Sequence, residues 1–318
     1  MRLPTYAYFE GKIVPIDQAK VSVTTHSFNY GTAAFAGIRA YWNADQEQLY
    51  IFRPHDHFER FKRCAEFLLI DLPHTAEQLQ SIVVELLNLE AFREDAYIRP
   101  LVYKSQKGIG IRLHDLTSDM TIFALPFANY LPDEESVSCG FSSWRRIDDG
   151  MIPPRAKIAG AYVNSALTKT EAHLNGYDEA LVLDGEGHIS EASAANFFMI
   201  RNGKVVTPPV YSNILEGITR QTCILLLAAE LGLEVIERPI DRTEIYSAQE
   251  AFLCGTGVQI AAITSVDHRK IATGQMGPVV GELRQLFFDI VRGNNSKYHH
   301  WVEPVYQTDP VVHKSASD

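Results

Sequence analysis

The segment Arg155-Ala156-Lys157-Ile158-Ala159-Gly160-Ala161 places a lysine among small and apolar residues. Lysine is almost never fully buried without a partner or a purpose. A desolvated lysine has a lowered pKa, and its amine is then a usable nucleophile near neutral pH. Schiff-base chemistry needs such an amine, although the segment is also compatible with a Lys157 side chain that extends from a loop into solvent.

Three further segments could complete a site for an imine-forming cofactor that carries a phosphate, such as pyridoxal phosphate. Leu215-Glu216-Gly217-Ile218-Thr219-Arg220 begins a predicted helix, whose N-terminus favours an anion. Gly255-Thr256-Gly257 follows an apolar strand and forms a second candidate anion site. Glu191 precedes small residues and an apolar strand, so its carboxylate could face a ring nitrogen. Each pattern also occurs in ordinary turns and helix starts, and only their joint occurrence indicates a cofactor.

The composition sets the class of protein. The 318 residues allow about two domains. A net charge of -10 disfavours a nucleic-acid partner. The sequence has no signal peptide pattern, and its best candidate for a membrane span, 251–266, is too short and is broken by glycines. Four dispersed cysteines without a C-x-x-C motif predict reduced thiols and a cytoplasmic location, and the histidines lack the spacing of metal ligands.

Hydrophobic periodicity and turn residues predict an α+β fold in two domains. The small N-terminal α/β domain spans 1–126, a linker spans 127–136, the large domain spans 137–292, and a polar, loosely held tail spans 293–318. Predicted helices open at Asp56, after a capping box at Thr75 and after a cap at Thr243, and cover 162–174, 218–231 and 279–292. Predicted strands form a hairpin over 6–14 and cover 49–52, 96–103, 120–126, 179–183, 196–200, 233–236 and 251–254.

The chain resembles the fold-type IV pyridoxal-phosphate enzymes, and most closely the branched-chain amino acid aminotransferases, over about residues 8–288. The segment from Tyr30 to Arg39 resembles Y-G-x-x-x-F-E-G-I-R, and the segment from Ala96 to Pro100 matches A-Y-I-R-P. The remaining motifs are Ala156-Lys157 with Gly160 and Tyr162, Ile189-Ser190-Glu191 with Asn196-Phe197-Phe198, Gly217-Ile218-Thr219-Arg220, and Gly255-Thr256. The resemblance implies a fold like that of D-amino acid aminotransferase, with a small α/β domain and a larger β-barrel-like α/β domain.

The resemblance also implies a pyridoxal 5'-phosphate cofactor and its binding residues. Lys157 would hold the cofactor as a Schiff base and move the substrate proton. Glu191 would pair with the pyridine nitrogen, and Tyr162 would lie near the phenolic oxygen. The residues implied to bind the phosphate are Arg60, Gly217, Ile218, Thr219 and Thr256.

For the substrate, the resemblance implies that Tyr97, Gly257 and Val258 bind the α-carboxylate and that Arg99 binds the distal carboxylate of glutamate. The residues implied to border the side-chain pocket are Tyr30, Phe35, Ala36 and Gly37. The loop from Gly108 to Arg112, with Ile111, would reach the site of a neighbouring subunit, which implies a homodimer at least. Arg112 is either an additional carboxylate anchor or a solvated loop residue.

The activity implied is transfer of the amino group of leucine, isoleucine and valine to 2-oxoglutarate by a ping-pong mechanism. Two positions depart from the family pattern, because Ala36 and Ala195 stand where glutamates are common. A larger, less polar pocket there would favour the alternative of an (R)-selective amine or mixed-specificity transaminase. The intact Tyr97-Ile98-Arg99 favours L-amino acids over D-amino acids. An aminodeoxychorismate lyase on the same fold and a non-catalytic binding protein remain as further alternatives.

Overall fold

The computed structural model describes residues 3–306. The α-helices are α1 His26–Tyr30, α2 Pro54–Glu66, α3 Ala76–Glu90, α4 Tyr162–Leu174, α5 Ile218–Ala229 and α6 Pro278–Val291. The first strands are β1 Tyr6–Phe9, β2 Lys12–Pro15, β3 Ala33–Phe35, β4 Ile38–Asn43, β5 Gln48–Phe52, β6 Ala96–Lys104 and β7 Ser118–Pro126. The later strands are β8 Val137–Arg145, β9 Glu179–Leu183, β10 Ile189–Ala192, β11 Asn196–Arg201, β12 Lys204–Thr207, β13 Val235–Glu237, β14 Glu250–Gly255, β15 Gln259–Val266, β16 Arg269–Lys270 and β17 Val302–Pro304. Short 3-10 helices cover Ile16–Gln18, Ala159–Ala161, Arg242–Ser247 and Ser296–Trp301.

The first sheet is antiparallel and has the order β17-β5-β4-β6-β7-β1-β2, with β3 paired to β6. Helices α2 and α3 supply apolar side chains to the core beside this sheet, among them Phe58, Phe61, Leu79 and Val83. An antiparallel sheet commonly packs one face on helices in this way. The site residues on β3, β4 and β6 are thereby held by a continuous backbone ladder.

The second sheet has the order β10-β9-β8-β15-β14-β11-β12-β13, with β16 paired to β15. The pairs β8–β9, β8–β15 and β12–β13 are parallel, and the others are antiparallel. Helices α5 and α6 contribute to a core that includes the stacked rings of Phe198 and Phe252. This sheet carries Glu191 on β10 and leads into Gly255-Thr256-Gly257 at the end of β14.

Several sequence predictions match these elements. The hairpin over 6–14, the strand over 49–52 and the helix over 162–174 are confirmed within one or two residues at each end. The capping box is also confirmed, because the Thr75 side chain accepts from the backbone of Gln78 while the Gln78 side chain accepts from the backbone of Thr75. The division into two domains stays a prediction; residues 127–136 contain no helix or strand.

Other predictions were wrong. Helix α2 begins at Pro54 rather than Asp56, because proline is favourable in the first helical turn. Thr243 caps no helix, since it lies inside the 3-10 helix that follows Asp241. The tail is not loosely held over 296–306: β17 pairs with β5, and Tyr298, Val302 and Val305 are buried. The part of the predicted tail over 307–318 lies outside the described residues. Strands β3, β4, β8, β10, β15, β16 and β17 were not predicted.

Candidate active site

A cavity of about 700 Å³ lies between the two sheets and collects most of the predicted site residues. Those that line it are Phe35, Gly37, Arg60, Tyr97, Arg99, Lys157, Tyr162, Glu191, Gly217, Ile218, Thr219, Thr256, Gly257 and Val258. They come from α2, α4, α5, β3, β6, β10 and the segments between these elements. Binding pockets of small molecules commonly have this size.

Lys157 is held by its backbone, and its amine faces the cavity. Its carbonyl accepts from the backbone of Phe35 at 3.0 Å, and its own amide donates to Cys64 Sγ at 3.3 Å. The Nζ atom donates to Tyr162 Oη at 2.5 Å. Burial, reinforced by the positive charge of Arg60, lowers the pKa of Lys157 to about 8. The amine is therefore neutral in a large fraction of molecules near pH 8.

Tyr162 is the first residue of α4, one turn after Lys157 in the chain. Its ring contacts Phe35 edge-on, with 4.6 Å between the ring centroids. Burial raises the pKa of Tyr162 to about 12, with the nearby Glu191 charge acting in the same direction. The phenol therefore stays protonated at neutral pH and can donate one hydrogen bond as well as accept one.

Glu191 is a buried carboxylate with three donors around it. Arg146 Nη2 lies 2.7 Å from Oε1, while Asn196 Nδ2 and the Leu215 amide donate to Oε2 at 3.0 and 3.1 Å. Burial raises the pKa of Glu191, and the guanidinium of Arg146 opposes that rise. The site therefore holds an oriented carboxylate with one side left for a ligand.

The N-terminus of α5 forms a candidate anion site. Gly217 caps the helix without a side-chain hydrogen bond, which leaves the first backbone N–H groups of α5 for a ligand. A Cβ atom at Gly217 would meet Asn196 Oδ1 at 2.2 Å, so only glycine fits here. Arg60 Nη1 donates to the Glu216 carbonyl at 3.0 Å and anchors α2 beside the helix N-terminus.

Arg60 and Thr256 add to this anion site. Within residues 3–306, no carboxylate lies within 4 Å of the Arg60 guanidinium. A largely buried arginine without an acidic partner is costly unless a ligand supplies the negative charge. Thr256 Oγ1 donates to the Gly37 carbonyl at 3.0 Å, which ties the loop after β14 to the first sheet.

The opposite side of the cavity combines an apolar wall with a second free cation. Arg99 Nη2 donates to Tyr97 Oη at 3.1 Å, and its guanidinium lies 4.5 Å from the Phe35 ring centroid. Among the residues that the structure describes, none forms a hydrogen bond with the buried Nε atom of Arg99. Gly37 makes room for the Tyr97 hydroxyl, because a Cβ there would lie 2.0 Å from it. The apolar wall consists of Phe35, Leu101, Phe123, Leu125, Phe127 and Val258.

Four predicted substrate residues do not line the cavity. Consecutive side chains of an extended segment point in opposite directions, so Phe35 faces the cavity while Ala36, 1% exposed, packs into the hydrophobic core. Ala36 therefore does not line the cavity, and its role as a substrate residue stays a prediction. Tyr30, Ile111 and Arg112 lie at the surface, where Tyr30 Oη accepts from the Gly110 amide at 3.3 Å. Their role at a neighbouring subunit's site stays a prediction.

Sequence reasoning missed three polar residues of the site. Arg146 and Asn196 hold the Glu191 carboxylate; Asn196 was noted only as part of a motif. Arg39, which is 2% exposed, donates to the carbonyls of Gly257, Phe127 and Ala128 at 3.2, 3.0 and 2.7 Å. It therefore fixes the loop after Thr256 to β4 and to the segment that follows β7.

The sequence and the structure both match one family. The family model described as amino-transferase class IV matches residues 34–266, which is more than half of the chain. The chain belongs to this family and is an aminotransferase. Within residues 3–306, no helix is long and apolar enough to cross a membrane, and no cluster of three or more His, Cys, Asp or Glu side chains could hold a metal ion.

Several similar proteins are branched-chain aminotransferases. A probable branched-chain-amino-acid aminotransferase of Aquifex aeolicus is 48% identical over 301 residues, which cover 95% of this chain and 97% of that protein. The crystal structure of the Thermoproteus uzoniensis branched-chain aminotransferase with norvaline is 42% identical, with a TM-score of 0.91 over 95% of this chain and 100% of that one. The Thermobaculum terrenum enzyme in its PLP-form is 38% identical, with a TM-score of 0.91 over 96% and 99%. The prediction of an α+β fold-type IV enzyme is confirmed.

Proposed function

We propose that the protein transfers the amino group of branched-chain L-amino acids to 2-oxoglutarate with pyridoxal 5'-phosphate as cofactor. The observation that carries the proposal is the joint presence of the Lys157 amine, the Glu191 carboxylate and an unpaired anion site in one cavity with an apolar wall. Similar enzymes supply independent support, since one is described in its PLP-form and another with norvaline, an unbranched relative of the substrates proposed here.

The residues fit the cofactor on three counts. In the described part of the chain, Arg60 lacks an acidic partner, the N-terminus of α5 has free N–H groups, and Glu191 keeps one acceptor side open. Arg60, Ile218, Thr219 and Thr256 would bind the phosphate, Glu191 the ring nitrogen, and Tyr162 the phenolic oxygen. Bound there, the cofactor supplies an electron sink for the negative charge that develops at the substrate Cα when its proton leaves.

Lys157 would bond covalently to the cofactor between turnovers and act as the proton carrier during them. Its Nζ atom would accept the proton that leaves the substrate Cα and would later return a proton from the same face of the bound substrate. A base is most effective when its pKa lies near the working pH, and the pKa of Lys157 of about 8 meets that condition. Tyr162, 2.5 Å away, orients the amine.

The pocket would serve two substrates in a ping-pong sequence. The α-carboxylate of each would bind Tyr97 Oη and the backbone at Gly257 and Val258. The aliphatic side chain of the donor would pack against Phe35 and its apolar neighbours, which favours binding by burial of apolar area. The distal carboxylate of 2-oxoglutarate would pair with Arg99, whose buried Nε atom has no hydrogen-bond partner within residues 3–306.

Mixed specificity towards (R)-amines is the second candidate, and one observation favours it. Ala195 lines the cavity beside Ala194 and leaves that wall without a charged group. The related argument from Ala36 lapses, because Ala36 lies in the core.

A half-reaction panel tests the function. The pyridoxal form is mixed separately with L-leucine, L-glutamate, D-alanine and both enantiomers of 1-phenylethylamine, and the loss of its long-wavelength absorbance is followed. We expect fast reactions with L-leucine and L-glutamate and none with any donor in K157A. Reaction with the (R)-amine and not with L-leucine would contradict the proposal, as would release of pyruvate from aminodeoxychorismate without any amino acceptor.

We further propose that the protein is a homodimer in the cytoplasm. Val23, Phe28, Ile109 and Ile111 are each more than two-thirds exposed, and backbone hydrogen bonds between 24–26 and 106–108 bring them together. A contiguous exposed apolar patch is typical of an interaction surface. The cytoplasmic location rests on the four cysteines, all buried and free.

A further inference from the structure

Arg146 is fixed in place beside the carboxylate of Glu191. It follows β8 directly, and its backbone amide donates to the Leu183 carbonyl at 2.9 Å. Its Nε atom donates to the Asn213 carbonyl at 3.1 Å, and its Nη2 atom lies 2.7 Å from Glu191 Oε1. The two side chains of the ion pair are 12% and 4% exposed. Such a short, shielded, charge-assisted contact is much stronger than an ion pair at the surface.

The other partners of Glu191 are also donors only. Asn196 Nδ2 donates both to Glu191 Oε2 and to the Leu215 carbonyl, at 3.0 and 2.9 Å, and the second bond fixes the orientation of the amide. The Leu215 amide adds a third donor at 3.1 Å. A carboxylate has about four acceptor positions, so roughly one is left for a ligand. None of the three protein partners can accept a proton from Glu191.

We propose that Arg146 is a positioning residue that keeps Glu191 ionised, so that the proton shared with the cofactor resides on the ring nitrogen. This inference rests on the proposed function. A protonated ring withdraws electrons from the substrate Cα, whereas an unprotonated ring in a neutral hydrogen bond with a carboxyl group does so less. Arg146, which also lines the cavity, would thus set the strength of the electron sink through Glu191.

The ionised form of Glu191 needs a neighbouring positive charge that does not titrate. Burial raises the pKa of its carboxyl and on its own would favour the neutral form. The other groups that face it are Lys157, Arg220 and Tyr162. The free amine of Lys157 has a pKa of about 8, and in the holoenzyme its Nζ atom would be bonded to the cofactor. Arg220 is paired with Glu237 at 2.6 Å, and Tyr162 is neutral. Among residues 3–306, Arg146 alone places a cation within 4 Å of Glu191.

The test uses the holoenzyme with cofactor labelled with ¹⁵N in the ring. The ¹⁵N chemical shift reports whether the nitrogen is protonated, and it is measured between pH 6 and pH 9 in wild type, R146M and R146K. We expect a protonated nitrogen throughout in wild type and R146K, and loss of the proton within this range in R146M. The half-reaction of R146M with L-leucine should be at least about tenfold slower, the effect of one pKa unit on the ring nitrogen, and R146K should restore most of it.

Two further variants make the outcome decisive. R146Q keeps hydrogen-bond donors but removes the charge, so its bound cofactor should lose the ring proton as in R146M. R146Q replaces R146M in the test if R146M does not fold. R201M removes an ion pair with Glu244, remote from the cavity, and should behave as wild type. A nitrogen that stays protonated at every pH in folded R146M or R146Q would overturn the inference. Wild-type protein that binds no labelled cofactor would overturn the proposed function instead.

Discussion

At the scale of single residues, the chemistry depends on charges that the protein leaves without a full set of partners. Within residues 3–306, the Lys157 amine has a hydroxyl neighbour rather than a carboxylate, and the buried Nε atom of Arg99 has no acceptor. Arg60 lies beside the N-terminus of α5, whose partial positive charge adds to the charge of the guanidinium. A ligand with anionic groups would satisfy these residues together, so the net charge of -10 is compatible with the anionic substrates proposed above.

The lowered pKa of Lys157 predicts a pH dependence of stability in the apoenzyme. The unfolded chain binds the proton with a pKa of about 10.5, whereas the folded protein does so with a pKa of about 8. Between these values the unfolded state carries more protons, so the free energy of unfolding rises with pH. Lys157 should raise the free energy of unfolding by about 2 kcal/mol between pH 7 and pH 9.5. Tyr162 titrates only above this pH range.

The measurement is urea denaturation of apo wild type and apo K157M at a series of pH values. The difference between the two free energies of unfolding isolates Lys157, because all other groups are shared. As the pH rises, the free energy of unfolding of wild type should increase relative to that of K157M. A difference that stays constant, or that changes in the other direction, would show that the lysine is not desolvated.

Which site residues could be predicted depended on their local surroundings. Lys157 stands among small and apolar neighbours, and Glu191 precedes an apolar strand, so both were recognisable. Arg146 was not, because Arg145-Arg146 followed by Ile147-Asp148-Asp149 looks like a solvated loop. Its contact with Glu191 joins residues 45 positions apart. The parallel pairing of β8 with β9 and the antiparallel pairing of β9 with β10 bring these segments together.

At the scale of elements, the N-terminus of α5 leaves no room for a side chain at Gly217. Gly217 has an ordinary negative φ of -71°, so its backbone imposes no strain on another residue. The restriction is spatial, because Asn196 Oδ1 occupies the place of a Cβ atom. The same Asn196 holds Glu191, and any displacement at Gly217 is therefore passed to the carboxylate.

G217A should weaken cofactor binding and destabilise the protein by about 1–3 kcal/mol, the cost of disrupting buried polar partners. The control is G281A in α6, where a Cβ atom meets nothing nearer than Met276 Cε at 3.8 Å. Alanine there should stabilise the protein by about 0.5–1 kcal/mol, as it does elsewhere within helices. Thermal unfolding and titration of the apoenzyme with the cofactor give both quantities. Equal behaviour of the two variants would contradict the tight fit at Gly217.

Long elements with a clear period were predicted well, and several strands were not. Helix α4 and the two long strands of the central hairpin, β6 and β7, have the expected patterns. Strand β8 was missed because it follows a polar segment and ends in exposed residues, and β15 because its apolar run follows two glycines. Both pair in parallel with partners that are distant in the chain. The residue pattern within one strand does not predict its pairing with a strand that is distant in the chain.

At the scale of the whole molecule, the C-terminal segment returns to the first sheet. Its composition is polar, which predicted a loose tail, yet a few apolar side chains decide its position. Val302 and Val305 are buried, and the Trp301 carbonyl accepts from the Arg53 amide at 2.7 Å. The segment after α6 thereby joins the two halves of the chain that enclose the cavity.

The proposed dimer predicts a change of assembly at this scale. I109S combined with I111S should weaken self-association, because it removes two apolar side chains that are more than 80% exposed in the single chain. L174S alters an equally exposed side chain outside the patch and should leave self-association unchanged. Sedimentation equilibrium measures both. A monomeric wild-type protein, or equal effects of the two variants, would contradict the assignment of the interface.

The central claim is that Lys157 is the residue to which the cofactor attaches. The most direct measurement is borohydride reduction of the full-length protein loaded with pyridoxal 5'-phosphate, followed by mass spectrometry of its peptides. We predict a phosphopyridoxyl group on the peptide that contains Lys157 and its absence in K157A. The label on another lysine that lines the cavity, such as Lys169, or no label at all in loaded wild type, would contradict the account.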